Sequence, residues 1–119
     1  MKVETRSIGN CEVISMQGKL VAGVGDVLLR EKVNQLLGDG AERIVVDLSQ
    51  VTHVDSSGVG ELVASKRIIE RFGARLGLVR GSDSVDRVLK LGQLLPLFQI
   101  YDDASAAAAA LNEQKAGAQ

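Results

Sequence analysis

Two adjacent serines, Ser56 and Ser57, are the side chains of this 119-residue sequence best placed to do chemistry. They follow Asp55 and are followed by two nearby glycines, Gly58 and Gly60. An apolar run precedes this stretch and an amphipathic run follows it, which predicts a strand that enters a helix through a tight polar turn. Backbone N–H groups lack partners at a helix N-terminus, and the helix dipole favours negative charge there. A serine at this position is therefore suited to carrying a phosphate.

The same residues also have a purely structural interpretation. Asp, Ser and Gly are favoured in turns and at helix N-caps, so Ser56 or Ser57 could simply cap the helix that follows. Gly58 and Gly60 remove bulk around the serines and would let the backbone of a partner approach closely. From the residues alone, a functional turn and a structural turn both remain open.

A catalytic serine needs a general base within hydrogen-bond reach and a group that orients the base. The only histidine, His53, precedes the serines by a few residues, and in an extended segment its side chain would share a face with Asp55 rather than with Ser56. Neither serine lies in a G-x-S-x-G motif. We therefore expect no catalytic residue and no enzyme activity, and we interpret His53 as a partly exposed residue at a strand end.

Sites for metals and cofactors are equally poorly supported by the sequence. One cysteine, Cys11, and one histidine provide no ligand set at metal-binding spacing, so we expect no metal and interpret Cys11 as a core residue. The glycines at 23 and 25 lack the third member of a dinucleotide-binding fingerprint, and no Gly-Lys-Ser/Thr phosphate loop occurs. We expect no cofactor.

The elements that must position the serines alternate between strands and helices. We predict strands at 2–8, 11–16, 43–48, 75–80 and 98–101, with helices at 26–38, from the Asp55 turn to 72, after a cap at Asp83 or Ser84, and from 102–103 to about 114. This alternation predicts an α/β fold: a single domain with a mixed, mainly parallel sheet of about five strands and four helices. The domain should cover residues 1–114, with 115–119 as a frayed C-terminal tail.

Three finer expectations concern the neighbourhood of the serines. The glycine at Gly18 should break the second strand, and Asp26 is a candidate cap for the first helix. On the second helix, Glu61 is expected to face water together with Arg67, Glu70 and Arg71.

Composition narrows the class of partner. The net charge is −1 and aromatic residues make up 3% of the chain, which argues against a nucleic-acid surface. No segment approaches the roughly 18 apolar residues of a membrane helix, and the start contains no apolar signal core. A single cysteine fits a reducing compartment. We expect a cytoplasmic protein without direct membrane insertion.

The stretch from Val46 to Leu62 resembles the signature of STAS domains, specifically the bacterial anti-sigma factor antagonists. That signature is D-L-S followed a few residues later by D-S-[ST]-G-[LV]-G, and here it reads Asp47-Leu48-Ser49 and then Asp55-Ser56-Ser57-Gly58-Val59-Gly60. The similarity runs from about Val3 to Leu111. Val59 stands where leucine is commoner and keeps the apolar role.

The resemblance implies the family fold and a phosphorylation switch that regulates transcription by partner switching. Ser56 matches the family's phosphoacceptor: an anti-sigma factor with serine kinase activity phosphorylates it, and a PP2C-type phosphatase removes the phosphate. The unphosphorylated protein binds the anti-sigma factor and thereby frees the sigma factor. The expected partner-binding residues are Asp55, Ser56, Ser57, Gly58, Val59, Gly60 and Glu61, with residues 23–26 adjacent to them.

Two rival interpretations remain. The first is a STAS scaffold that is not phosphorylated, or an accessory subunit of a transporter or signalling complex. The second is a small serine hydrolase.

Overall fold

The computed structural model describes residues 1–113, in which five strands form one sheet in the order β1-β2-β3-β4-β5. The strands are β1 (Lys2–Ile8), β2 (Cys11–Leu20), β3 (Arg43–Val54), β4 (Arg75–Val79) and β5 (Ile100–Tyr101). The α-helices are α1 (Gly25–Gly38), α2 (Ser56–Arg71), α3 (Asp83–Leu91) and α4 (Ala104–Asn112). The predicted tail at 115–119 and the last predicted helical residue, Gln114, lie outside the described residues.

The sheet is mixed, as predicted. β1 and β2 form an antiparallel hairpin, in which Ile8 pairs with Cys11 around the turn and Gly9 adopts a φ of 60°. The pairs β2·β3, β3·β4 and β4·β5 are all parallel. Parallel neighbours need crossover connections, and the helices provide them. The predicted α/β fold class is confirmed.

The core is aliphatic and lies on both faces of the sheet. On one face, Ile44 and Val46 of β3 belong to a large cluster that includes buried residues of α1, α2 and α3. On the other face, Val45 belongs to a smaller cluster with Ala107 and Leu111 of α4. Strand β3 is therefore buried on both sides, as its continuous apolar run predicts for a central parallel strand.

Strands β2 and β3 are longer than predicted. Gly18 does not end β2; the strand continues to Leu20 through two register shifts, and Gly18 takes a φ of 112°. Strand β3 likewise runs to Val54 instead of ending at residue 48, and Leu20 pairs with Val54. Pairing between the two strands supplies hydrogen bonds that local sequence patterns do not reveal. Both strands thus extend beyond β4 and deliver Leu20 and Val54 side by side.

Other boundaries moved by a few residues. The last strand is only Ile100–Tyr101, and a short 3-10 helix that contains Pro96, Leu95–Leu97, precedes it. The cap of α3 is Ser82, rather than Asp83 or Ser84, which lie inside the first turn.

Among residues 1–113, none of the helices combines the length and the apolar character that crossing a membrane requires.

Candidate partner-binding site at the start of α2

Asp55 is the N-cap of α2, a role that the sequence alone left to Ser56 or Ser57. Its backbone is extended, and its Oδ1 accepts a hydrogen bond from the N–H of Gly58 at 2.9 Å. Its Oδ2 accepts from the N–H of Ala22 at 3.0 Å, across 33 residues of sequence. A serine hydroxyl offers one oxygen, whereas the carboxylate offers two that point in different directions. Asp55 therefore caps α2 and also joins it to the β2–α1 segment.

These hydrogen bonds also fix the charge state of Asp55. The N–H of Ala22, followed by that of Gly58, lowers the pKa of the Asp55 carboxyl below its ordinary value, because both groups donate to the ionised form. The site therefore carries the negative charge of Asp55 beside the two serines near neutral pH.

Gly58 is required by the fold rather than by a partner. It is buried, and a Cβ added there would overlap the carbonyl oxygen of Leu20 and come within 2.8 Å of Cγ2 of Val54. Gly25 faces the same residue, since its Cβ would lie 2.7 Å from Cα of Leu20. The expectation that Gly58 makes room for a partner's backbone is thus corrected: the space is filled by Leu20. Two glycines let α1 and α2 begin against the same end of β2.

The residues left on the surface are the hydroxyls and their small neighbour. Ser56 and Ser57 occupy the first two positions of α2 and are exposed. Gly60 is exposed as well, and a Cβ added there would meet nothing within 4 Å. Val59 is half-buried against the core. The two serines are therefore exposed to solvent, while Gly58 next to them is packed against Leu20.

The structure also places two exposed apolar residues in the adjoining segment. Val24 is 51% exposed and Val27 is 39% exposed. Both follow Ala22, the residue that Asp55 holds through its backbone N–H. Residues 23–26 were expected beside the serines, but neither valine was predicted as an exposed apolar residue. Apolar residues in a glycine-rich segment were the available signal.

Asp26 does not cap α1. The N-cap is Val24, which makes no side-chain capping hydrogen bond, and Asp26 lies in the first turn of the helix. Its Oδ1 accepts from the N–H of Val27 at 2.8 Å. In this position the negative charge of Asp26 is still stabilised by the positive end of the helix dipole.

Glu61 is buried instead of facing water. Its Oε1 accepts from Nε of Arg30 at 3.0 Å and from Nη2 at 2.9 Å, and this contact raises the pKa of Arg30. Glu61 lies three residues after Gly58 and one before Leu62, which places it on the buried side of α2. That spacing was the signal available in the sequence. The residue links α2 to α1 and does not lie on the open surface with Ser56.

The remaining candidates for chemistry stand apart from the serines. His53 is exposed on β3, with its Nδ1 3.0 Å from Oγ1 of Thr52. Cys11 is fully buried, and burial raises the pKa of its thiol to about 11. Within residues 1–113, no three His, Cys, Asp or Glu side chains are grouped so as to hold a metal ion.

Comparison with known proteins agrees with this architecture. The family model for the STAS domain matches residues 2–107, and the chain belongs to this family. An anti-sigma F factor antagonist of Paenibacillus polymyxa is 23% identical over 91 residues, which are 76% of this chain and 78% of that protein. The predicted resemblance to the anti-sigma factor antagonists of the family is confirmed.

Solved structures share the fold. The crystal structure of an anti-sigma factor antagonist from Mycobacterium paratuberculosis superposes with a TM-score of 0.82, at 22% identity, over 93% of this chain and 93% of that one. The Bacillus cell fate determinant SpoIIAA in its phosphorylated form gives a TM-score of 0.69, at 22% identity, over 92% of this chain and 99% of that one. At this identity the likeness establishes the shared fold.

Proposed function

We propose that this chain is a bacterial anti-sigma factor antagonist that acts as a phosphorylation-switched binding module. Unphosphorylated on Ser56, it binds an anti-sigma factor with serine kinase activity, and a sigma factor is released. The kinase phosphorylates Ser56, and a PP2C-type phosphatase restores the binding form. In this proposal the chain works in the cytoplasm and is not itself an enzyme.

The observation that carries the proposal is the exposed hydroxyl of Ser56 directly after a cap that is fixed from two sides. The first residue of a helix is favourable for a phosphate, because N–H groups and the helix dipole favour an anion there. Asp55 is held by the amides of Ala22 and Gly58, so the acceptor stands at a defined position. The relative SpoIIAA is known in a phosphorylated form, which supports the same chemistry for the family fold.

The proposed switch acts through local charge. A phosphate adds a charge of about −1.5 to −2 at neutral pH. On Ser56 it would stand beside the ionised carboxylate of Asp55, so a partner suited to two neutral hydroxyls would meet a concentrated negative charge. Glu61 contributes little to this repulsion, because Arg30 neutralises it. The proposed contact surface comprises the exposed serines and Gly60, with Val24 and Val27 as apolar neighbours.

The first test is phosphorylation by the purified anti-sigma factor kinase of the same bacterium. Incubation with ATP should add one phosphate, which mass spectrometry of peptides should place on Ser56. The matched control is Ser57→Ala, which should still gain the phosphate. Incubation with a PP2C-type phosphatase should then remove it.

The second test measures affinity for the same kinase by calorimetry. Ser56→Ala should bind like the unmodified protein, whereas Ser56→Asp should bind on the order of tenfold more weakly or worse, since it places a like charge in the contact. Equal affinities of the two variants would contradict the switch. Binding without any phosphate transfer would favour a scaffold or accessory STAS module. Labelling of Ser56 or Ser57 by a fluorophosphonate probe would favour the hydrolase.

A further inference from the structure

A groove of about 250 Å³ lies between α1 and α2, on the side of the molecule that carries Glu61. Its walls include the apolar side chains of Val33 and Ile68 and the small side chain of Ala64. Arg30 lies at the groove, and Glu61 and Ser65 contribute its buried polar atoms.

Within residues 1–113, one polar atom of the groove is buried without a hydrogen-bond partner. The Glu61 side chain is only 8% exposed, and both N–H groups of Arg30 donate to Oε1. Arg30 donates to Oε1 and not to Oε2, so a second donor can approach Oε2. Ser65 is 1% exposed, and its Oγ has no hydrogen-bond partner among the described residues. A buried polar atom without a partner is costly and uncommon in folded proteins, so Oγ of Ser65 is an acceptor for an N–H donor from outside, beside the carboxylate of Glu61.

The size and the lining of the groove indicate what kind of donor fits. Its volume is below the roughly 300–1,000 Å³ of typical small-molecule pockets, and it suits a single side chain better than a whole ligand. Apolar walls that end in acceptor oxygens match a side chain with a methylene stem and a cationic head. Arg30 is 58% exposed, so its guanidinium is free to move toward water when a second cation approaches Glu61.

We propose that this groove receives a lysine or arginine side chain of the partner protein, with Glu61 as its counter-ion and Ser65 as a second acceptor. The inference rests on the proposed function, because it extends the proposed contact surface along α2. Glu61 lies five residues after Ser56 on the same helix, about 7.5 Å further along its axis, so a partner that covers both α1 and the start of α2 would contact both. Glu61 thus returns as a contact residue, at the bottom of a groove instead of on an open face.

The test compares two variants that break the same ion pair from opposite sides. Glu61→Gln removes the counter-ion and should weaken binding of the unphosphorylated chain to the anti-sigma factor kinase at least tenfold. Arg30→Gln removes a competitor for Glu61 and should leave the affinity unchanged or raise it. A purely structural ion pair would make both variants bind more weakly to a similar extent, which would overturn the inference.

Arg30→Gln leaves Glu61 without its cation and could disturb the fold. A second pair of variants therefore tests the groove while the ion pair between Arg30 and Glu61 stays intact. Ala64 is exposed and lines the groove, so Ala64→Trp should block it and weaken binding at least tenfold while the melting temperature stays close to that of the parent chain. The matched control is Gln35→Trp, at an exposed position of α1 that does not line the groove, and it should bind normally.

The outcomes separate the two proposals. If the parent chain fails to bind the kinase, the proposed function fails and the groove inference fails with it. If the parent chain binds but Glu61→Gln and Ala64→Trp bind equally well, only the groove inference is overturned. Weaker binding of both variants, together with normal binding of Gln35→Trp, supports the inference.

Discussion

Helices α2 and α3 begin in similar ways, yet only one of these beginnings is joined to the rest of the domain by its cap. Each helix follows a buried parallel strand, and in each a capping side chain accepts from the N–H three residues later. At α3, Oγ of Ser82 accepts from Val85 at 3.4 Å, a long and entirely local contact. At α2, Asp55 accepts from Gly58 at 2.9 Å and also from Ala22, in the segment that follows β2.

The glycines beside the two caps differ in the same sense. A Cβ at Gly81 would press mainly on the side chain of Val85, within the same turn of α3, with the carbonyl oxygen of Leu48 at 3.3 Å. A Cβ at Gly58 would overlap a backbone carbonyl of β2, which cannot move without disturbing the sheet. A turn with ordinary capping residues is therefore held in a fixed position when tertiary contacts involve both its side chain and its backbone.

The largest expected effect comes from breaking the close approach at Gly58. Gly58→Ala places a methyl group on the carbonyl oxygen of Leu20, and we expect a loss of about 3 kcal/mol in the free energy of unfolding. Urea denaturation followed by circular dichroism measures it.

The matched control for Gly58→Ala is Gly60→Ala on the same helix. Nothing lies within 4 Å of a Cβ at that position, so the substitution should stabilise the protein by about 0.5–1 kcal/mol through its helix propensity. If the two alanine variants were equally stable, the close packing at Leu20 would not fix the start of α2.

The next effect comes from removing the second hydrogen bond of Asp55. Asn at this position keeps one acceptor oxygen for the cap and loses the other, so Asp55→Asn should lower the melting temperature at pH 7, and Asp55→Ala should lower it further. Thermal denaturation of the three proteins provides the comparison.

The stability that Asp55 contributes should depend on pH. Because backbone amides lower the pKa of the folded-state Asp55 carboxyl, its stabilisation is complete above the pKa of an unfolded aspartate, about 4. It disappears as the pH falls through the lower folded-state pKa. The gap between the melting temperatures of the parent chain and Asp55→Asn should therefore narrow as the pH falls below about 4 and close only below the folded-state pKa. A gap that stays constant from pH 7 to pH 3 would show that the charge is irrelevant.

The smallest effect is expected at the other helix. Ser82→Ala removes a single long, local capping contact and should cost about 0.5 kcal/mol, at the low end for N-caps. The same denaturation experiment measures it. If Ser82→Ala lowered the free energy of unfolding as much as Asp55→Ala does, the two helix starts would not differ in how their caps contribute to stability.

Local sequence patterns predicted the α/β fold class and most of its strands and helices. The unbroken run of Ile44, Val45 and Val46 predicted a central strand, because only a strand covered on both faces tolerates such continuity. The glycines at 38 and 40 placed the end of α1 at residue 38, as observed. The extension of β2 and β3 to Leu20 and Val54 escaped prediction, since it depends on pairing between segments far apart in sequence.

The candidate site divides in the same way. The types and order of residues 55–61 predicted a capped helix start with exposed hydroxyls, because turn and cap preferences act within a few residues. The sequence alone determined that much, together with the family resemblance and the α/β class. Only the tertiary structure decided that Asp55 is the cap, that Gly58 serves Leu20 and that Glu61 is buried against Arg30. Ala22, Leu20 and Arg30, the residues that Asp55, Gly58 and Glu61 contact, lie tens of residues away in the chain, where local preferences carry no information.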